Sequence, residues 1–288
     1  MMTRRNFLTN SLAASAGLVS LSSFKIPSTT PTPRTVKDDI SIAQWALVSE
    51  IQDGQWKTLD FPKIAREVFD INGIEFVNTL FDVPTYGYLR RLKKNAEDYN
   101  VTMVLIMIDD EGETCTPDKE ERKQTVINHQ KWIDIAQFLG CTAIRTNCRG
   151  PQDASKEEAL KWAADTYQQM LEYAVPANIS ILIENHGGFS NDADWMVALM
   201  QEVNNLYFGT YPDWRSPGPN FNNYEYLEKT LPWAGGMSYR NQPDEEQTRR
   251  MIQLCHDSGY RGWYGIESSG REAIMQGKEL LEKYLLNK

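Results

Sequence analysis

From Ile40 onward, short apolar or β-branched runs alternate with longer stretches whose apolar residues recur at helical spacing. That order predicts a parallel sheet covered by helices. The strand-like runs are Ile40–Leu47, Ile74–Val77, Thr102–Ile108, Ala143–Thr146, Ser180–Ile183, Leu206–Tyr211, Ala234–Tyr239 and Trp263–Ile266. Eight such units favour a (β/α)8 barrel over an open sheet. Between the fourth and fifth, Leu160, Ala163, Ala164, Tyr167, Met170, Leu171 and Ala174 form the i, i+3, i+4, i+7 stripe of a helix packed on a sheet. Asn191 or Asp192 is placed to cap the next helix, and a helix over Asp244–Ser258 is expected to stop at Gly259. Most Met and aromatic positions in these stripes read as core.

The N-terminal segment breaks the pattern. Thr3-Arg4-Arg5-Asn6-Phe7-Leu8 resembles a twin-arginine export motif, and a weakly apolar Ala/Ser-rich stretch follows it from Leu8 to Phe24. Ile26–Lys37, with Pro27, Pro31 and Pro33, reads as an extended linker. Residues 1–38 are therefore expected to be a twin-arginine-type signal peptide with a Pro/Thr-rich linker, and 39–288 a single-domain barrel of about 250 residues, the usual size for the fold. The expected location is periplasmic or secreted. After residue 30 no apolar run is long enough to cross a bilayer, so no membrane association is expected once the signal is removed.

Composition narrows the chemistry. A net charge of -9 argues against a nucleic-acid partner, which requires basic surface. The four cysteines, Cys115, Cys141, Cys148 and Cys255, include no CxxC pair, which excludes a zinc knuckle or a dithiol redox centre. Cys115 and Cys148 follow neighbouring strands and could pair in an oxidising compartment. With only His129, His186 and His256 available, a metal site would have to be built mainly from carboxylate oxygen. His129 falls within a long helix, where a packed histidine is the simpler reading. No GxGxxG follows a strand and no GxxxxGK[ST] occurs, so nucleotide binding has no support.

Acidic residues close three of the apolar runs. Ile181-Leu182-Ile183 leads into Glu184, Phe208-Gly209-Thr210-Tyr211-Pro212 into Asp213, and Trp263-Tyr264-Gly265-Ile266 into Glu267. Carboxylates at strand ends are costly to bury unless they act at the mouth of the barrel. Three converging there suit a divalent metal held by hard oxygen ligands, which would polarise a carbonyl and the hydroxyl beside it. A capping or salt-bridged carboxylate is the alternative for each.

Five segments carry a family resemblance: Gly73-Ile74-Glu75, Arg145-Thr146-Asn147-Cys148-Arg149-Gly150, Ile183-Glu184-Asn185-His186-Gly187-Gly188, Gly209-Thr210-Tyr211-Pro212-Asp213 and Gly262-Trp263-Tyr264-Gly265-Ile266-Glu267. With them the chain resembles the xylose isomerase-like TIM barrel superfamily, and within it an exported bacterial subgroup described as sugar phosphate isomerase/epimerase-like. The resemblance spans about Ile40 to Tyr284. It implies a divalent metal (Mn, Mg, Co or Zn) bound by Glu184, Asp213 and Glu267. A fourth ligand, histidine after strand seven, is missing: Gly235 falls where it would be, and Met237 where the exported subgroup often has lysine. Water or His186 would complete the site, or the site has become a binding pocket. The superfamily's zinc nucleases draw on more histidines than this chain owns, which sets DNA repair aside.

The remaining polar residues take provisional roles. His186, two residues beyond Glu184, is a candidate proton carrier, hydroxyl contact or ligand, or else structural. Arg145 and Asn147 are candidate substrate contacts. Glu75, closing strand two, is a substrate contact or proton acceptor, or a barrel-floor ion pair with Arg145. Trp45, Trp214 and Tyr239 are candidates for stacking on sugar rings, or core. The expected function is proton abstraction alpha to a carbonyl of a sugar or keto-sugar, by an isomerase or epimerase, with Glu184, Glu267 and His186 as the catalytic groups. A 3-keto-glycoside lyase would use the same step. The rival class is a non-catalytic carbohydrate-binding protein or partner subunit with a degraded metal site. In either case the partner is a small-molecule carbohydrate, and homo-oligomerisation stays open.

Overall fold

A computed structural model describes residues 39–215, 218 and 221–285; the expected signal peptide and linker lie outside them. Eight strands form one parallel sheet: β1 (Ile40–Ala43), β2 (Gly73–Val77), β3 (Thr102–Met107), β4 (Ala143–Asn147), β5 (Ser180–Glu184), β6 (Phe208–Tyr211), β7 (Met237–Tyr239) and β8 (Tyr264–Ile266). The order is β6-β5-β4-β3-β2-β1-β8-β7, and the isolated parallel bridges Thr210–Ala234 and Asp213–Ser238 bring β6 and β7 together. The result is a nearly closed (β/α)8 barrel. No helix among the described residues is long and apolar enough to cross a membrane.

Three strands are shorter than the apolar runs suggest by two residues or more. Gln44–Leu47 turns into a 3-10 helix after β1, where buried Gln44 accepts a hydrogen bond from Val77 N and donates to Thr58 Oγ1. Leu206 is fully exposed, so β6 begins only at Phe208. β7 begins at Met237, after the Gly235-Gly236 pair.

The helices follow their sequence signals. Lys156–Ala174 starts at a capping box between Ser155 and Glu158 and buries Ala163, Tyr167, Met170, Leu171 and Ala174 against the sheet. Asp192 caps Ala193–Val203 by accepting from the backbone of Asp194 and Trp195. Glu245–Asp257 is capped by Asp244. His129 is buried in the helix Lys119–Leu139 with Nδ1 on Thr125 O. All four cysteines are buried free thiols.

The large core lies between sheet and helices, and a smaller one fills the ring itself, with Ala43, Val77, Leu105, Met107, Ala143, Leu182 and Tyr211. Side chains alternate along a strand with period two. Two residues beyond the inward Ala43, Met107, Ala143, Leu182 and Tyr211 stand Trp45, Asp109, Arg145, Glu184 and Asp213. The apolar filling thus ends, strand by strand, in a ring of four polar side chains and Trp45 at the C-terminal mouth.

Candidate active site at the barrel mouth

Glu184 ends β5, Asp213 follows β6 by two residues, and Glu267 follows β8 by one. Their carboxylates converge, with ligand atoms within 4.8 Å of one another, and all three are buried. The local sequence fixes each. Asn185 clamps the Asp213 backbone, accepting from its N–H at 2.7 Å and donating to its carbonyl at 3.0 Å. Gly187 and Gly188, both with positive φ, turn the chain sharply after β5, so that Phe189 N reaches Arg149 O at 2.8 Å. Ser238, inward on β7, donates its hydroxyl proton to Glu267 Oε2.

Three like charges this close must be neutralised. Arg145 Nε stands 2.8 Å from Glu184 Oε2, and its Nη1 donates to Asp109 Oδ1 at 3.0 Å. Asn147 completes this group, donating to Asp109 Oδ1 at 2.6 Å and accepting from Arg145 Nη1 at 3.2 Å. Arg240 spans the other two carboxylates: Nε is 3.1 Å from Asp213 Oδ1, Nη2 is 3.0 Å from Glu267 Oε1, and Nη1 donates to the Glu267 carbonyl at 2.8 Å. Arg215 approaches Asp213 Oδ2 at 3.5 Å. His186, partly exposed, holds Nδ1 3.5 Å from Glu184 Oε1.

These surroundings treat the carboxylates differently. Burial opposes ionisation of Glu184, but the Arg145 guanidinium and then His186 outweigh it and hold the group well below the usual carboxylate range. Burial and the negative charge of Glu184 push Glu267 and Asp213 upward, against the pull of Arg240. Asp109 is held down because Arg145 and Asn147 overcome its burial.

The trio fits a hard divalent cation. Three oxygen donors converge, and neither buried oxygen of Glu184 accepts a hydrogen bond among the described residues, because the short Arg145 contact is misaligned for one.

Several expectations are corrected. Glu75 does not close its strand; it is the middle residue of β2 and fully buried in the ring interior. Its oxygens accept from Ser41 Oγ at 2.7 Å and from Tyr211 OH, inside the ring and out of a substrate's reach, and Arg145 pairs with Asp109 and Glu184 instead. Gly265 makes room for it, since a Cβ there would lie 2.4 Å from Glu75 Oε2. Burial, partly offset by the two hydroxyls, raises Glu75 to about 7. Trp214 and Tyr239 are core rather than stacking platforms: both point away from the ring interior, pack edge to face with centroids 5.2 Å apart, and are essentially unexposed. Trp45 remains partly exposed above the interior cluster. Gly235 is not level with the carboxylates but lies against Leu182; the pairing of Tyr239 with Ile266 puts Arg240 beside Glu267.

Asp109 and Arg240 went unassigned in the sequence. Both lie two residues beyond an inward position, Met107 and Ser238, so period-two alternation carried past the apolar run would have found them.

The xylose isomerase-like TIM barrel family model matches residues 63–216. Among solved structures, a D-tagatose 3-epimerase-like protein superposes with TM-score 0.70 at 18% identity, covering 86% of this chain and 97% of that one. A xylose isomerase-like TIM barrel protein from Mycobacterium smegmatis, in complex with magnesium, gives 0.66 at 15%, covering 88% and 97%. A 3-keto-D-glucoside 4-epimerase from E. coli gives 0.65 at 11%, covering 80% and 94%. At such identities the likeness is one of fold. No curated protein sequence matches the chain.

Proposed function

Because the chain belongs to the xylose isomerase-like TIM barrel family, we propose that it is a sugar isomerase- or epimerase-like enzyme that moves a proton on the carbon next to the carbonyl of a sugar or keto-sugar. The observation that carries this is the convergence of Glu184, Asp213 and Glu267 from different strands at the barrel mouth. A single catalytic carboxylate needs no such company. Two glutamates facing one reacting carbon from β5 and β8 allow one to remove the proton and the other to return it. The structural relatives include a D-tagatose 3-epimerase-like protein and a 3-keto-D-glucoside 4-epimerase, which is consistent with this chemistry.

A divalent ion held by the three carboxylates would polarise the carbonyl and spread the charge that develops on it. The chain's own groups do the rest. Arg145, locked by Asp109 and Asn147, keeps Glu184 ionised and oriented. Ser238 fixes the Glu267 carboxylate from one side, and without an ion Arg240 holds it from the other. His186 and Trp45, both partly exposed beside the mouth, are placed for a sugar hydroxyl and a ring face.

The twin-arginine-like segment supports an unphosphorylated substrate met outside the cytoplasm, since sugar phosphates are mainly cytoplasmic. On a 3-keto-glycoside the same abstraction would expel the substituent on the neighbouring carbon, a lyase outcome. A non-catalytic sugar-binding protein or partner subunit is the second reading, favoured by the pairing of every site carboxylate with an arginine.

The deciding experiment incubates the purified protein, with Mn2+, with a panel of ketoses and 3-keto-glycosides in D2O and follows exchange at the carbon alpha to the carbonyl by NMR. Exchange or elimination is expected for at least one compound. Saturable sugar binding with no exchange across the panel would replace the enzyme with the binding protein.

A further inference from the structure

The three-carboxylate cluster carries its own cation. Arg240 contacts Asp213 Oδ1 at 3.1 Å and Glu267 Oε1 at 3.0 Å, two of the three groups whose oxygens define the centre of the site. A divalent ion at that centre would draw on the same two carboxylates, at about 2.0–2.6 Å for the hard cations such donors prefer. A carboxylate oxygen drawn to a metal at that distance loses most of its attraction for a guanidinium, and a doubly charged ion beside the guanidinium repels it. The two cations are therefore alternatives.

Arg145 is not placed to yield. Its side chain is 1% exposed and is anchored by Asp109 and Asn147, both outside the trio. Arg240 is different: its side chain is 22% exposed and borders an outer cavity of about 660 Å3. Asn222, Asn241 and Gln242 line that cavity beside it. Of these, Gln242 offers its amide oxygen, whose contact with Asn223 Nδ2 is long at 3.5 Å, as an acceptor for a guanidinium turned into the cavity.

We propose that Arg240 is an internal competitor for the divalent-cation site, holding Asp213 and Glu267 as an ion pair until an incoming divalent ion turns its side chain outward into the adjoining cavity. The proposal rests on reading Glu184, Asp213 and Glu267 as a cation site, and it makes Arg240 the residue that sets how tightly that site holds a metal. With the arginine present the cluster offers an ion less net negative charge than its three carboxylates would give alone, so its affinity is tuned downward.

Mn2+ titration of the chelator-treated protein, read by calorimetry and by the EPR signal of free Mn2+, tests this without reference to turnover. Wild type, Arg240→Gln and Arg240→Lys are compared, with Glu184→Gln as the control that removes a ligand. Arg240→Gln should bind Mn2+ at least ten-fold more tightly than wild type. Its metal-free form should melt lower than wild type, with a larger rise in Tm on adding Mn2+. Arg240→Lys, whose single ammonium cannot span two carboxylates as the guanidinium does, should fall between them and keeps the test open if the glutamine variant does not fold. Equal or weaker Mn2+ affinity in a folded Arg240 variant, with wild type binding and Glu184→Gln not, overturns the competition while leaving the cation site intact. Failure of wild type and of every variant to bind Mn2+ overturns the cation site itself, and the competition with it.

Discussion

Arg145 Nε lies 2.8 Å from Glu184 Oε2, and both side chains are 1% exposed. The pair is the inner anchor of the site, because the same guanidinium also ties Asp109, from beyond β3, to the end of β4. Removing one partner of a buried ion pair leaves the other charge unsolvated, which costs about 3–5 kcal/mol. Arg145→Met should therefore destabilise the protein by about that amount at pH 7, measured by urea unfolding. The double change Arg145→Met with Glu184→Gln should recover part of the loss, since it no longer strands Glu184. A loss below about 1 kcal/mol in the single variant would mean that water reaches the pair and the anchor is weak.

Glu75 gives stability a dependence on pH of the opposite sense to an ion-paired carboxylate. Burial raises its folded-state value from the usual 4.5 to about 7. The contribution of the protonated carboxyl is fully present below pH 4.5 and is lost as pH rises through about 7, because between those values only the folded chain holds the proton. The span corresponds to about 3 kcal/mol. Glu75→Gln, which stays neutral and keeps an oxygen for Ser41 or Tyr211, should remove that slope. It should match wild type near pH 5 and exceed it in stability at pH 8, in a series of urea midpoints. Parallel profiles for the two proteins would show that Glu75 does not titrate in this range.

The alternation of strands and helices was legible because each apolar run is bounded by its own turn and cap residues, such as Ser155 with Glu158 or Asp192. Glu184, Asp213 and Glu267 were legible for a different reason: an acid closing an apolar strand is conspicuous. Arg240 was not, since a basic residue after Tyr239 looks like any solvent-facing strand end, and Gly235-Gly236 read as part of the strand shifted attention toward its start. Trp214 and Tyr239 misled because an aromatic beside polar site residues looks like a platform. Their parity says otherwise, for each directly adjoins an inward residue, Asp213 and Arg240, and so faces the helices. Glu75 lies inside the run Ile74–Val77 and shares the inward parity of Val77, but its partners could not be named from local sequence, because Ser41 and Tyr211 come from strands far apart in the chain.

Gly188 should tolerate no side chain. Its φ is +58°, and an added Cβ would lie 2.0 Å from the Arg149 carbonyl oxygen, a backbone atom that cannot turn aside. Gly188→Ala must move the turn that follows Glu184 or the end of β4, at a cost of at least about 2 kcal/mol. A lower Tm together with weakened Mn2+ binding is expected, because the same turn carries Asn185, which clamps the Asp213 backbone. A Tm within 1 °C of wild type would show that the turn rearranges freely.

Glu267 separates folding from chemistry better than any other site residue. Glutamine has its shape, and its amide oxygen can still accept from Ser238. What is lost is the capacity to take and return a proton, together with one unit of negative charge in the trio. General acid or base catalysis contributes about 10²–10⁴-fold to such steps, so alpha-proton exchange by Glu267→Gln should fall by that factor while the unfolding midpoint stays close to that of wild type. The lost charge alone would weaken metal binding, which saturating Mn2+ in the assay corrects. Exchange that returns to the wild-type rate at high Mn2+ would assign Glu267 to ion binding only. Exchange that stays low at every Mn2+ concentration would assign it to the proton transfer.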